Sequence, residues 1–100
     1  MPFLVGIIKM ILVSYDISDN KLRTKFSKYL SKFGYRLQYS VFKIKNSQRI
    51  LTNIFYSIKN EFEKKFTQGD SIYVFQMSDG CKITTFGYAE NESNDYFIIK

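Results

Sequence analysis

Tyr15 and Asp16 are the neighbouring residues of this chain best placed to do chemistry. They lie in the stretch MILVSYDI, residues 10–17, in which Ile11, Leu12 and Val13 follow one another. Such a run reads as a strand buried on both faces. Asp16 comes where that strand reaches solvent and hands the chain to Ser18, Asp19 and a helical pattern. A carboxylate there has two readings. It is a turn former, with Ser18 or Asp19 capping the helix by the same means, or it is a reactive group mounted on a rigid strand. The chain has no histidine and a single cysteine, Cys81. That excludes an internal disulfide and every Ser-His-Asp or Cys-His device, and argues against zinc. An enzyme built from these residues needs carboxylates and a hard metal ion, or uses water positioned by neither.

The elements that must position Asp16 fit in one domain spanning residues 1–100. One proline, Pro2, and no repeat or flexible linker interrupt the apolar segments, and 45% hydrophobic residues suffice for one core. Residues 1–9, MPFLVGIIK, are apolar but too short for a membrane span, and they lack the marks of a signal peptide. A cytoplasmic protein with no membrane partner is the expectation. Because Met10 opens the core strand, residues 1–9 read as an N-terminal extension: an upstream start, a strand extension or a loosely held tail.

Charge is unevenly spread. Through Asn60, 11 Lys and Arg stand against Asp16 and Asp19, a balance of +9; from Glu61 onward, 4 lysines stand against 7 acids, a balance of −3. The basic part is a candidate polyanion surface, set against the plainer reading of a solvated lysine-rich exterior.

Between Asp19 and Phe33 the spacing predicts a helix, with Leu22, Phe26, Tyr29, Leu30 and Phe33 facing inward and Gly34 as its stop. Lys21, Lys25, Lys28 and Lys32 fall on a second stripe with no acid at i+4 to relieve them. A phosphate backbone would turn that repulsion into binding. Arg23 lies off both stripes, toward the helix start and Asp16. Residues 35–45, YRLQYSVFKIK, read as a strand region in which adjacent Val41 and Phe42 break the alternation, so a bulge or change of strand is expected near Ser40. Ser47 caps a second helix reaching about Phe66. Residues 71–77 and 82–88 form a hairpin around Asp79-Gly80, and Tyr96 to Ile99 is a short apolar run without an evident partner in its own chain. This order predicts an α+β, ferredoxin-like fold with both helices on one face of an antiparallel or mixed sheet. The other face is left to bind something or to pair with a second copy. An RNA-recognition module shares the fold, but its glycine-aromatic strand signature is missing.

Tyr15-Asp16-Ile17 after a strand, Arg23 in a basic helix, Gly34, then Arg36-Leu37-Gln38-Tyr39-Ser40-Val41-Phe42 and a hairpin occur in order over residues 10–100. Together they resemble the smaller of the two core CRISPR adaptation proteins, the "Cas two" family. That resemblance implies a ferredoxin-like homodimer with stacked sheets and the C-terminal strand exchanged. It implies a divalent cation, Mg²⁺ or another such as Mn²⁺, held on the two-fold axis by Asp16 of each subunit. It also implies a metal-dependent endonuclease on RNA or DNA, and a subunit that bridges prespacer DNA in complex with the larger adaptation protein, the integrase. By position, Tyr15, Asp16, Arg23, Arg36 and Phe42 are the catalytic candidates.

Lys43 stands where the family often has an acid, so a second nearby carboxylate is not expected. Two Asp16 carboxylates across an axis repel, and a cation between them relieves that. Arg23 and Arg36 suit a phosphate, bound in bidentate fashion. The competing expectation is a non-catalytic dimeric scaffold that holds duplex DNA or single-stranded RNA through Lys21, Lys25, Lys28 and Lys32, or through Lys43, Lys45 and Arg49.

Overall fold

A computed structural model describes residues 9–78, 80–88 and 96–97. Strand β1 (Met10–Asp16) leads to helix α1 (Asn20–Ser31), and β2 (Gly34–Gln38) and β3 (Val41–Ile44) follow. Helix α2 (Gln48–Ser57) continues through a π-helical stretch, Ile58–Phe62, and a 3-10 turn, Glu63–Lys65. Strands β4 (Ser71–Met77), β5 (Cys81–Gly87) and β6 (Tyr96–Phe97) complete the order.

The sheet is antiparallel throughout, in the order β2-β3-β1-β4-β5-β6. Its first four strands and two helices form two interleaved β-α-β units, the ferredoxin-like arrangement. Strand β1 sits inside it, paired with β3 from Ile11 to Ser14 and with β4 along its whole length. The Lys9 N–H also donates to the Met77 carbonyl at 2.7 Å, so pairing with β4 begins one residue before Met10. Residues 1–8 lie outside the described residues.

Side chains alternate along β1. Ile11, Val13 and Tyr15 are buried, whereas Met10, Leu12 and Ser14 are only half-buried and Asp16 is exposed. Phe42, Ile44, Ile72 and Val74 share the buried face, and Leu22, Phe26 and Leu30 of α1 close over it. Leu51, Ile54, Ile58 and Phe62 do the same from the second helix, where the wider i→i+5 turn is closed by the Glu63 N–H on the Ile58 carbonyl. The helices start where polar side chains satisfy free N–H groups: Asp19 accepts from Leu22 at 2.8 Å and Ser47 from Ile50 at 3.3 Å. Asp19, not Asp16, is therefore the α1 cap.

Sequence expectations are decided, corrected or refined at four places. Of the two forms expected for the region 35–45 the structure takes the change of strand, β2 turning at Tyr39-Ser40 into β3, with an added irregularity between Arg36 and Gln38. The adjacent apolar pair Val41 and Phe42 follows from that turn, since β3 restarts the alternation. Gly34 opens β2 rather than stopping α1 in a left-handed conformation; a Cβ there would strike the Lys43 carbonyl and come within 2.8 Å of the Ile44 Cα. The run from Tyr96 has a partner in its own chain: Tyr96 and Phe97 pair with Lys82 and Cys81 of β5. The lysine stripe is also partly relieved, because Lys25 reaches Glu61 at 2.9 Å. The Asp79 tip of the β4–β5 hairpin lies outside the described residues.

Close approach of β2 to β3 at Gly34 makes a definite expectation. Gly34→Ala must open the β2–β3 pairing, and urea unfolding should show it destabilised by about 2 kcal/mol or more, whereas Gly69→Ala, where nothing lies within 4 Å, loses only what its positive φ costs, about 1 kcal/mol.

Candidate functional site

The end of β1 delivers its two polar residues to opposite sides of the sheet. Asp16 emerges on the face without helices, opposite Ser71 of β4, and lines a depression of about 360 Å³ with Ser14, Ser71, Tyr73 and Tyr88. Its carboxylate makes no hydrogen bond or ion pair among the described residues. Half-buried Leu12, Tyr73, Phe75 and Ile83 continue this face, with Lys43 beside Leu12 in register.

Tyr15 points the other way. It is 5% exposed and packs edge-on against Phe26, with ring centroids 5.2 Å apart. Burial pushes its phenol above the ordinary tyrosine value, and the nearby guanidiniums of Arg36 and Arg23 offset only part of that. The phenol is thus a protonated hydrogen-bonding group at neutral pH. Arg36 arrives from β2 and Arg23 from α1, and with Tyr15, Thr24, Ser27 and Tyr39 they line a second cavity of about 270 Å³. Phe42 is buried, at 1% exposure, with the Arg36 guanidinium 5.1 Å from its ring centroid. Of the five catalytic candidates, the fold therefore brings Tyr15, Arg23, Arg36 and Phe42 together on the helix side and holds Asp16 on the other.

Arg23 is nonetheless tied to the Asp16 loop. Its Nη1 donates to the Ile17 carbonyl at 2.9 Å and to the Ser18 carbonyl at 3.4 Å, while Nη2 donates to Asn20 Oδ1. A second tie, through Asp70, was not legible in the sequence. Asp70 is 1% exposed and accepts four bonds: from Ser18 N–H and Oγ at 3.0 Å each, from Thr67 N–H at 2.9 Å and from Thr67 Oγ1 at 3.3 Å. Burial alone would raise its pKa, but the bonds from Thr67 and Ser18 outweigh it and hold the carboxyl below the ordinary aspartate value. The loop after Asp16 is thus pinned by Arg23 from one side and by Asp70 from the other. Only the buried aspartate followed by an apolar strand could have hinted at this.

The lysines form a separate surface. Lys21, Lys25, Lys28 and Lys32 are exposed along α1, with the Lys32 ammonium 6.0 Å from the Tyr29 ring centroid. Lys45 and Arg49 are exposed beyond β3. Among the described residues no three His, Cys, Asp or Glu side chains converge on a point. One chain offers a single hard oxygen ligand, Asp16, flanked by hydroxyls. That donor set fits a cation such as Mg²⁺, which keeps several waters and takes one or two carboxylates plus substrate phosphates. No helix of the described residues is long and apolar enough to cross a membrane.

An antiparallel sheet covered by two helices on one face, with a free carboxylate at the end of its inner strand on the other, defines a ferredoxin-like α+β protein. Its membership is sharper than that. The family model described as CRISPR associated protein Cas2 matches residues 9–84. The chain is 40% identical over 91 residues to a CRISPR-associated endoribonuclease Cas2 of Synechocystis, covering 88% of this chain and 96% of that protein. It is 30% identical over 89 residues to the CRISPR-associated endoribonuclease Cas2 of Mycobacterium tuberculosis, covering 89% and 75%. The chain belongs to the Cas2 family. A crystal structure of a hypothetical protein from Thermus thermophilus superimposes with a TM-score of 0.61, covering 88% of this chain and 94% of that one, at 20% identity, and shows the fold alone.

The Asp70 network makes a pH-dependent expectation. Asp70→Ala leaves the Ser18 and Thr67 N–H groups without their acceptor and should cost about 2–3 kcal/mol in urea unfolding at neutral pH. Because the folded carboxyl lies below its unfolded value, that contribution is fully present above the unfolded pKa of about 3.9 and is lost as pH falls through the lower folded value. Wild type and variant should therefore converge in stability only in acid below about pH 4.

Proposed function

We propose that this Cas2-family chain is a metal-dependent endonuclease that hydrolyses phosphodiester bonds of RNA or DNA, working as a homodimer. The observation that carries the reading is Asp16: a free carboxylate held at the end of a rigid inner strand, on the sheet face that no helix covers. The endoribonuclease names of relatives from Synechocystis and Mycobacterium tuberculosis support the same reaction class.

Packing the open faces of two copies together would bury Leu12, Phe75 and their neighbours and bring two Asp16 carboxylates near one axis. Asp16 of both subunits would then hold the divalent cation, Mg²⁺ or Mn²⁺, which when bound supplies Lewis-acid activation of water or of a phosphoryl oxygen. The chain's own contribution is positional. Arg23 and Asp70 fix the loop that follows Asp16, so the carboxylate would hold the cation without reorganising. Pairing of β6 with β5 in its own chain means that exchange of the last strand is not needed to satisfy it. The role as a DNA-bridging subunit beside the integrase, in CRISPR adaptation, belongs to the same proposal.

Purified protein should cleave single-stranded RNA or DNA with Mg²⁺ and lose that activity with EDTA. Asp16→Asn should abolish cleavage while leaving the melting temperature unchanged or raised, since it removes one like-charged pair and no hydrogen bond among the described residues. Cleavage that survives Asp16→Asn would overturn the reading, as would a monomer by sedimentation at micromolar concentration.

A second reading, a non-catalytic nucleic-acid scaffold, is favoured by one observation: the exposed lysines of α1 form a basic face whose only acidic partner among the described residues is Glu61. Each phosphate contact contributes a slope of about −0.9 to the log–log salt dependence of duplex binding. Lys21→Gln with Lys28→Gln should flatten that slope by about 2 units and weaken all sequences alike. Lys25→Gln should change it less, because Lys25 already has Glu61. Unchanged slopes would make the stripe a solvated helix face.

A further inference from the structure

The depression at Asp16 is lined by rings and hydroxyls. Ser14, Ser71, Tyr73 and Tyr88 share it with Asp16, and among the described residues no lysine or arginine lines it. Once a cation neutralises Asp16, no charged side chain of the lining is left to attract the rest of a substrate, and what the chain still offers there is aromatic surface. Tyr88 offers most of it, at 56% exposed, whereas Tyr73 is half-buried between Ser14 and Thr85 in the sheet.

A ring just past the end of a strand is ordinarily loose. The backbone that carries Tyr88 is instead fastened from three directions. Gly87 N–H donates to Glu63 Oε2 at 2.8 Å, and the other oxygen of that carboxylate is 3.3 Å from the Lys59 ammonium. Tyr88 N–H donates to the Asp70 carbonyl at 2.7 Å. Gly87 has a φ of 86°, and a Cβ there would lie 2.6 Å from the same carbonyl oxygen and 2.7 Å from the Phe66 ring, so only glycine permits this packing. Asp70 therefore holds two things at once: its carboxylate holds Ser18, just after Asp16, and its carbonyl holds Tyr88. One buried residue sets the ring and the Asp16 loop in register with each other.

We propose that Tyr88 is a substrate-contacting residue whose ring stacks on the nucleobase next to the phosphate held at Asp16. That the substrate is a nucleic acid rests on the function proposed above, and Tyr88 adds to that reading the group that grips the base. A volume of about 360 Å³ lies at the lower end of the range of small-ligand sites, roughly 300–1,000 Å³, and gives room for one unpaired base. A ring whose backbone is already fixed loses little freedom when the base arrives. Because every base has a π-face, the stack strengthens binding without selecting a sequence.

The test is a fluorescence titration of the full chain with a short single-stranded oligonucleotide whose adenines are replaced by aminopurine, a base that dims when stacked on a ring. It is run in EDTA and in an Asp16→Asn background, so that the strand stays intact and no carboxylate repels its phosphates. Binding should quench the aminopurine. Adding Tyr88→Ala should abolish the quenching and weaken binding at least about fivefold, whereas Tyr88→Phe, which keeps the ring, should stay within about twofold. A strand of abasic nucleotides keeps the charge but offers no base, and Tyr88→Ala should not change its binding. Both variants keep the backbone bond to Asp70, and the side chain they alter is exposed, so the melting temperature should hold. Quenching and affinity unchanged by Tyr88→Ala overturn the stack, and so does Tyr88→Phe binding as weakly as Tyr88→Ala, which would assign the contact to the phenol hydroxyl. The outcome is separable from the nuclease reading. Asp16-dependent cleavage with no effect of Tyr88 sinks only the stack, and a Tyr88-dependent stack in a protein that never cuts sinks only the nuclease.

Discussion

Everything in this fold depends on β1 being hydrogen-bonded on both edges while only one of its faces is sealed. Pairing with β3 and β4 satisfies its backbone, and the helices bury Ile11, Val13 and Tyr15 against Phe26, Phe42 and Val74. A strand so held cannot slip by one residue without turning Val13 and Tyr15 outward and Asp16 into the core. The cost of burying an unpaired carboxylate makes that register very unfavourable. Asp16 is thus fixed in space by the apolar residues beside it rather than by any bond of its own.

The second constraint acts just beyond the strand. A loop leaving a rigid strand usually loses definition within a few residues. Here the Ser18 segment is bonded to Asp70, which stands one residue before β4, and Arg23 holds the Ile17 and Ser18 carbonyls. Asp70 also carries the Tyr88 N–H on its carbonyl at 2.7 Å, so the end of β5 joins the same junction. A buried carboxylate that collects four donors is a joint between three elements, and it leaves the exposed carboxylate of Asp16 free for other work.

Much of this was legible because apolar spacing states it directly. The first strand, both helices, the Ser47 cap and a cap at Ser18 or Asp19, the β4–β5 hairpin and the placement of both helices on one face follow from periodicity and short-range rules, and the structure chooses Asp19. What was not legible needed contacts distant in sequence. The β2–β3 turn at Tyr39-Ser40 contains no glycine, asparagine or proline, so the break in alternation at Val41-Phe42 announced a bulge or a change of strand without deciding between them. Gly34 is required by the approach of Lys43 and Ile44, and Asp70 by Ser18, 52 residues away. The candidate site was legible as a set of residues but not as an arrangement. A string of letters gives Tyr15 and Asp16 as neighbours, and only the pleat makes them opposites.

That opposition organises the electrostatics of the molecule. Successive residues of a strand point to opposite faces, so one step along β1 puts the Asp16 carboxylate on one side of the sheet and the cavity lined by Tyr15, Arg23 and Arg36 on the other. Had Arg23 or Arg36 shared a face with Asp16, an ion pair in a low-dielectric cleft would have spent both charges on each other. Instead the sheet insulates them. Asp16 is left without an ion pair among the described residues, and the arginines are held by the carbonyls of Ile17, Ser18 and Tyr39. The core residues of β1 therefore do more than pack: the register that buries Val13 and Tyr15 also turns Asp16 to the face away from the cavity that Arg23 and Arg36 line.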